Sequence, residues 1–131
     1  ACNQYLIEYV ENGVQGEAGK LSREIRNCTG EMVIRNNIDT LILGCTHYSF
    51  LINQIQAEVG ENVKILDPAE ATVFDCKDIL EKTKTMNKEE KKVDDKKYTF
   101  YNSSNLESFQ EIIKKLTGIK EEEFDLLKLD I

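Results

Sequence analysis

The chain has 131 residues, enough for a hydrophobic core of its own, and 17 basic against 24 acidic side chains leave it at −7. That balance provides no basic footprint for a nucleic-acid backbone. No apolar run reaches the length of a membrane span and no signal-type stretch opens the chain, so the expectation is a soluble, cytoplasmic protein with neither nucleic acid nor membrane as partner.

Four cysteines, Cys2, Cys28, Cys45 and Cys76, are widely spaced and include no C-x-x-C pair. This argues against a zinc ribbon or a thioredoxin-type centre and predicts four reduced thiols. The chain opens on Ala, with Cys2 inside a running pattern, which hints at a start within a longer protein.

Residues 1–14 place Tyr5, Leu6, Tyr9 and Val10 on one face of a short helix or an irregular segment, and Asn12-Gly13 marks a turn. Residues 17–36 carry Leu21, Ile25, Cys28 and Met32 at helical spacing, with Gly30 a weak point or early stop and Asn36-Asn37 the end. Residues 38–43 read as a strand. Its continuous Leu41, Ile42 and Leu43 predict burial on both faces, as in a parallel sheet.

A tight turn through Gly44 and Cys45 leads into a helix bearing Tyr48, Leu51, Ile52, Ile55 and Val59, with Gly60 at its C-terminal cap. Val63 to Leu66 is a second strand, closed by Asp67-Pro68. A helix over 69–82 follows, with Ala71, Phe74, Asp75, Ile79 and Leu80 near one side. This alternation predicts an α/β fold, a mostly parallel sheet with flanking helices. Residues 83–97 read as a charged linker, a frayed helix end or a disordered loop. Beyond it come a strand at Tyr98 to Tyr101 and a helix opened by a Ser104/Glu107 capping box and ended by Gly118. An edge strand from Phe124 closes the chain, with Leu127, Leu129 and Ile131 on one side.

Cys45 is the prime candidate for chemistry. It stands where strand gives way to helix, the place where α/β sheets bind ligands and where helix N–H groups favour an anion. The competing reading is a buried structural cysteine; Thr46 and His47 beside it tilt the balance toward function. His47, the single histidine, is placed to share the thiol's proton. Thr46 either caps the helix or holds a substrate carboxylate at the helix start. Glu8 and Glu11 each stand as candidates to face a site, against a solvated role. Cys2, Cys28 and Cys76 read as structural. A metal on Cys45 and His47 would have two ligands, too few for a site.

Ile38-Asp39-Thr40-Leu41-Ile42-Leu43-Gly44-Cys45-Thr46-His47-Tyr48 resembles the second-cysteine motif of the glutamate racemases, within the aspartate/glutamate racemase family. Ile65-Leu66-Asp67-Pro68-Ala69-Glu70-Ala71-Thr72 is similar to the family's next block, and Tyr98 to Asn102, the helix over 105–117 and Leu129-Asp130-Ile131 are similar to its C-terminal end. Ala1-Cys2 with Val10-Glu11 resembles the segment that brings in an acidic active-site residue. The resemblance spans nearly the whole chain but only the second half of a family member.

What the resemblance implies is a two-lobed enzyme with its site between the lobes. It interconverts L- and D-glutamate without cofactor through two opposed cysteines and supplies D-glutamate for bacterial peptidoglycan. It makes Cys45, His47 and Glu11 catalytic, and Thr46 and His47 substrate contacts. Residues 1–67 would belong to the second lobe, and 68–131 would return to complete the first. The missing N-terminal half is the implied partner, a homodimer is a further option, and the chain alone is expected to be inactive. Ser49 stands where the family has Pro, which softens the helix start. Two alternatives stay open: a racemase for aspartate or a related amino acid, and a non-catalytic domain that binds an acidic metabolite.

Overall fold

Asn3 begins the first helix, α1 (Gln4–Asn12), by accepting the N–H groups of Tyr5 and Leu6 on its side-chain oxygen at 2.9 and 3.4 Å. Gly13 ends it at φ 63°, in the left-handed region open to glycine, and its N–H bonds Tyr9 O. The structure is a computed structural model that describes residues 3–13, 18–87 and 97–130, and the side chains of all of these but 18, 31 and 34. Cys2, Ile131 and most of the predicted linker lie outside the described residues. The chain divides into two compact units, Ala1–Met86 and Asn87–Ile131.

In the first unit α2 (Ala18–Asn36) runs through Gly30 without stopping there. One interior glycine costs about 1 kcal/mol, less than the roughly 1.5–3 kcal/mol gained for each large apolar side chain the helix buries. Leu21 and Ile25 are such side chains; Cys28 is half-buried and Met32, expected on the same face, is exposed. The buried Thr29 satisfies its hydroxyl on Ile25 O at 2.8 Å. Asn37, at φ 49°, closes the helix.

Two short strands, β1 (Thr40–Ile42) and β2 (Lys64–Leu66), pair in parallel with Leu41 opposite Ile65. Between them lie a 3-10 turn (Thr46–Leu51) and α3 (Ile52–Val59), ended by Gly60. Leu6, Val10, Leu21, Ile25, Leu43, Leu51, Ile55 and Val63 form the core. The expectation that the first strand is buried on both faces is corrected. Ile42 is 66% exposed, and its register partner Leu66 is exposed on the same face. That face is largely open within the first unit, although the strand has the apolar composition of one covered on both sides.

α4 (Ala69–Lys82) forms where predicted, with Asp67 Oδ1 accepting the Ala69 N–H at 3.0 Å. Its apolar residues Val73, Phe74 and Ile79 are exposed, and so is Cys76, which is therefore not a packed structural thiol. The i,i+4 ion pairs Lys77–Glu81 and Lys82–Asp78 support the helix along its surface.

The second unit is a strand–helix–strand element: β3 (Tyr98–Asn102), α5 (Leu106–Thr117) and β4 (Phe124–Lys128), the strands parallel. Phe100 meets Phe109 and Phe124 edge-on at centroid distances of 6.4 and 5.6 Å, and Ile113 and Phe124 are buried. One expectation is corrected here. Asn105, not Ser104, caps α5: its side-chain oxygen takes the Ser108 N–H at 2.9 Å. Ser104 N–H is itself used by Asn102 Oδ1. In β4 the inward side chains are Phe124 and Leu126, while Leu127 and Leu129 are exposed. Leu127 and Leu129 thus share one side, as the alternation predicts.

Candidate active site

β1 ends beside Leu43, whose N–H bonds Leu66 O at 3.0 Å and whose side chain is buried. The chain is thus anchored to the sheet one residue before Gly44 and two before Cys45. Cys45 remains extended (φ −140°, ψ 131°) and its carbonyl accepts the Tyr48 N–H at 3.0 Å, which starts the 3-10 turn. The thiol is half-buried at the carboxyl end of the strand.

The first turn after Cys45 is 3-10 rather than α, and Thr46 does not cap it. Cys45 occupies the cap position, with no side-chain cap hydrogen bond. Tightened first turns are common at helix ends. This one brings the side chain two residues beyond Cys45 back toward it: His47 Nδ1 lies 3.8 Å from Cys45 Sγ. On the far side of the ring, His47 Nε2 is 2.9 Å from Glu11 Oε1, in the last turn of α1. Thiol, imidazole and carboxylate are therefore linked in sequence. Of the two carboxylates left open by the sequence, Glu11 meets His47, while Glu8 accepts from Gln4 Nε2 at 3.2 Å.

Tyr48 was read only as part of an apolar helix face. Its hydroxyl instead accepts the Asn3 N–H at 2.9 Å, across 45 residues of sequence. Asn3 also donates to Glu24 Oε2 at 3.1 Å and to Cys28 Sγ at 3.3 Å. The start of α1 is thereby tied both to the turn that carries His47 and to α2, which fixes the helix that brings in Glu11. Nothing in local sequence marks such a long-range bond.

Two cavities meet at Cys45. One, of about 390 Å³, lies outside the carboxyl ends of β1 and β2 and is lined in part by Cys45, Thr46, Ser49, Asp67 and Thr72. The other, of about 380 Å³, is apolar and is lined in part by Leu6, Ile25, Cys28, Met32 and Ile42. Among the described residues Cys45 is the one thiol lining the first cavity. No group of three or more His, Cys, Asp or Glu among them is arranged to hold a metal ion, and no described helix is long and apolar enough to cross a membrane. The arrangement can pass one proton between sulfur and imidazole, with the carboxylate fixing ring orientation and tautomer.

No protein-family profile matches the chain. Individual relatives do. Glutamate racemase 3 of Caldanaerobacter subterraneus subsp. tengcongensis is 33% identical over 132 residues, which is 100% of this chain and 46% of the relative. The glutamate racemase of Thermoanaerobacter pseudethanolicus is 39% identical over 137 residues, again all of this chain and 46% of the relative. Among solved structures, glutamate racemase isoform RacE1 from Bacillus anthracis superposes with a TM-score of 0.73 at 26% identity, covering 94% of this chain and 43% of that one. The chain thus spans rather less than half the length of these relatives. Along its whole length it is a relative of the glutamate racemases, amino-acid isomerases, and corresponds to their C-terminal part.

Proposed function

We propose that this chain supplies one of the two proton-transfer thiols of a glutamate racemase. In this reading Cys45, as thiolate, takes the α-proton of L-glutamate: the Cα–H bond breaks and an S–H bond forms. A second thiol, on the part of the fold not present here, gives its proton to the opposite face and leaves D-glutamate. In the reverse direction the two exchange roles. His47 shares the Cys45 proton between turnovers, Glu11 holds the imidazole, and the hydroxyl and N–H of Thr46 bind the substrate carboxylate. A thiolate is itself the base, so the reading calls for no cofactor. The product would serve peptidoglycan synthesis in the cytoplasm, where thiols stay reduced.

The observation that carries the reading is the run Cys45 Sγ, His47, Glu11 at the mouth of a cavity beyond parallel strand ends. A thiol, a base and an orienting carboxylate within reach of one another form an activated-cysteine arrangement. We propose further that residues 1–67 belong to one lobe of the racemase and that 68–131 help complete the other.

Inversion needs a proton removed on one face and delivered on the opposite one, so the purified chain alone should form no D-glutamate from L-glutamate. Chiral chromatography of long incubations measures this. D-glutamate formed at a rate that Cys45→Ser abolishes would contradict the two-thiol reading.

A further inference from the structure

We propose that Tyr48 is a positioning residue of the candidate site. Its hydroxyl fixes one end of α1, and α1 in turn holds Glu11 against His47. The inference rests on the proposed reading of Cys45 as a proton-transfer thiol and adds the residue that keeps the partners of that thiol in place.

The start of α1 leaves one backbone group to be satisfied from outside the helix. In a capping box the cap residue's side chain takes an N–H of the first turn, and a Glu or Gln three residues on accepts the cap residue's own N–H. Asn3 does the first, on Tyr5 and Leu6. The residue three positions after it is Leu6, whose side chain has no acceptor. The Asn3 N–H goes instead to the Tyr48 hydroxyl at 2.9 Å. Tyr48 thus completes the cap from across the fold.

The other end of α1 meets the same 3-10 turn. Glu11 lies about 12 Å along the helix from its cap, and its Oε1 is 2.9 Å from Nε2 of His47, the chain neighbour of Tyr48. The Tyr48 N–H, bonded to Cys45 O at 3.0 Å, fixes the turn itself. Two consecutive side chains therefore hold the two ends of one nine-residue helix, a length that is marginal by itself in water. Buried Leu6 and Val10 set the depth of α1. Apolar contact is non-directional, so sliding along the axis is resisted by the directional bonds at the ends. Little sliding takes Glu11 out of hydrogen-bond range of His47.

The consequence reaches the thiol through the ring. With Glu11 accepting at Nε2, the neutral imidazole carries its proton there, and Nδ1 stays an acceptor toward Cys45 Sγ, 3.8 Å away. A ring released from Glu11 adopts the other tautomer as well, and that form cannot take the thiol proton at Nδ1.

The test uses the full 131-residue chain, in which His47 is the single histidine, so two-bond proton–nitrogen correlation spectra report its ring directly. With the ring neutral, the parent should show the Nε2–H tautomer. Tyr48→Phe keeps the aromatic ring and removes the hydroxyl; it should mix the two tautomers. It should also slow iodoacetamide alkylation of Cys45 about fivefold, the equilibrium factor of one ordinary hydrogen bond, with Cys76 as internal reference. Glu11→Gln should slow Cys45 likewise. Tyr48→Phe added to Glu11→Gln should cost nothing further, because both act through one contact. Thr29→Val removes a buried hydroxyl bond elsewhere in the unit and should lower the melting temperature while leaving His47 and Cys45 as in the parent. Circular dichroism checks that the variants stay folded. Three results would overturn the proposal: a Tyr48→Phe chain with parental spectra and rates, losses that add independently to those of Glu11→Gln, or the same tautomer mixing in Thr29→Val. A parent Cys45 no faster than Cys45 in His47→Ala tells against the catalytic reading instead, and the His47 spectra still decide the role of Tyr48.

Discussion

Glu58 shows how a single carboxylate ties two helices of the first unit. Ser22 Oγ donates to Glu58 Oε1, and Arg26 Nε donates to Oε2 at 3.0 Å, so α2 and α3 are clasped beside the core. The Ser22 hydrogen bond first, and then the Arg26 guanidinium, hold the Glu58 carboxyl below its ordinary value of 4.5. A carboxyl depressed in the folded state stabilises fully above its unfolded value. That contribution is lost as pH falls through the folded one. Glu58→Gln should therefore lower thermal stability modestly at pH 7, by less than about 1 kcal/mol for a partly solvated pair. The gap to the parent should close as pH drops below about 4. Melting curves of both proteins from pH 7 to 3 measure this; a gap independent of pH would refute the assignment. At the candidate site Cys45, His47 and Glu11 are linked in order by short distances rather than by burial.

At the level of elements, helix ends make the sharpest predictions. Asn105 accepts the Ser108 N–H, so Asn105→Ala should cost about 1 kcal/mol, whereas Ser104→Ala should cost little. Chemical denaturation of the two variants distinguishes them, and the reverse order would restore the Ser104 capping box. The elements themselves were legible in the residues. Helical spacing marked α2 and α5, glycines marked the ends of α1, α3 and α5, and apolar runs marked β1 and β2. What was not legible had local rivals of equal strength. Ser104 and Asn105 are both good caps one residue apart. The alternation placed Leu127 and Leu129 on one side without saying which side is inward, and packing of Phe124 against Phe100 decides it. The 3-10 turn at Thr46 was missed because its residues also satisfy an α pattern.

At the scale of the molecule, the apolar residues that read as core but stand exposed belong together. Ile42 was expected to be buried and Phe74 and Ile79 to share one helix side; all three are exposed, as are Leu66 and Val73. Composition reports the environment a segment requires, which the chain alone need not provide. The candidate site divides in the same way. Cys45 and His47 stand two residues apart and were legible as a pair, and their likeness to the racemase motif was legible too. The bond from Glu11 to His47 across 36 residues, and the Tyr48–Asn3 contact that orients α1, depend on tertiary packing and carry no local signal.

As the proposed proton-transfer thiol, Cys45 is set apart by its neighbours and not by access to solvent. Cys76 is exposed on α4, whereas Cys45 and Cys28 are half-buried. Alkylation by iodoacetamide at neutral pH, followed residue by residue by mass spectrometry, separates the two causes because the thiolate is the reacting form. Cys45 should react first, and His47→Ala should slow Cys45 while leaving Cys76 unchanged. A rate order that follows exposure, with Cys76 first and Cys45 indifferent to His47→Ala, would contradict it.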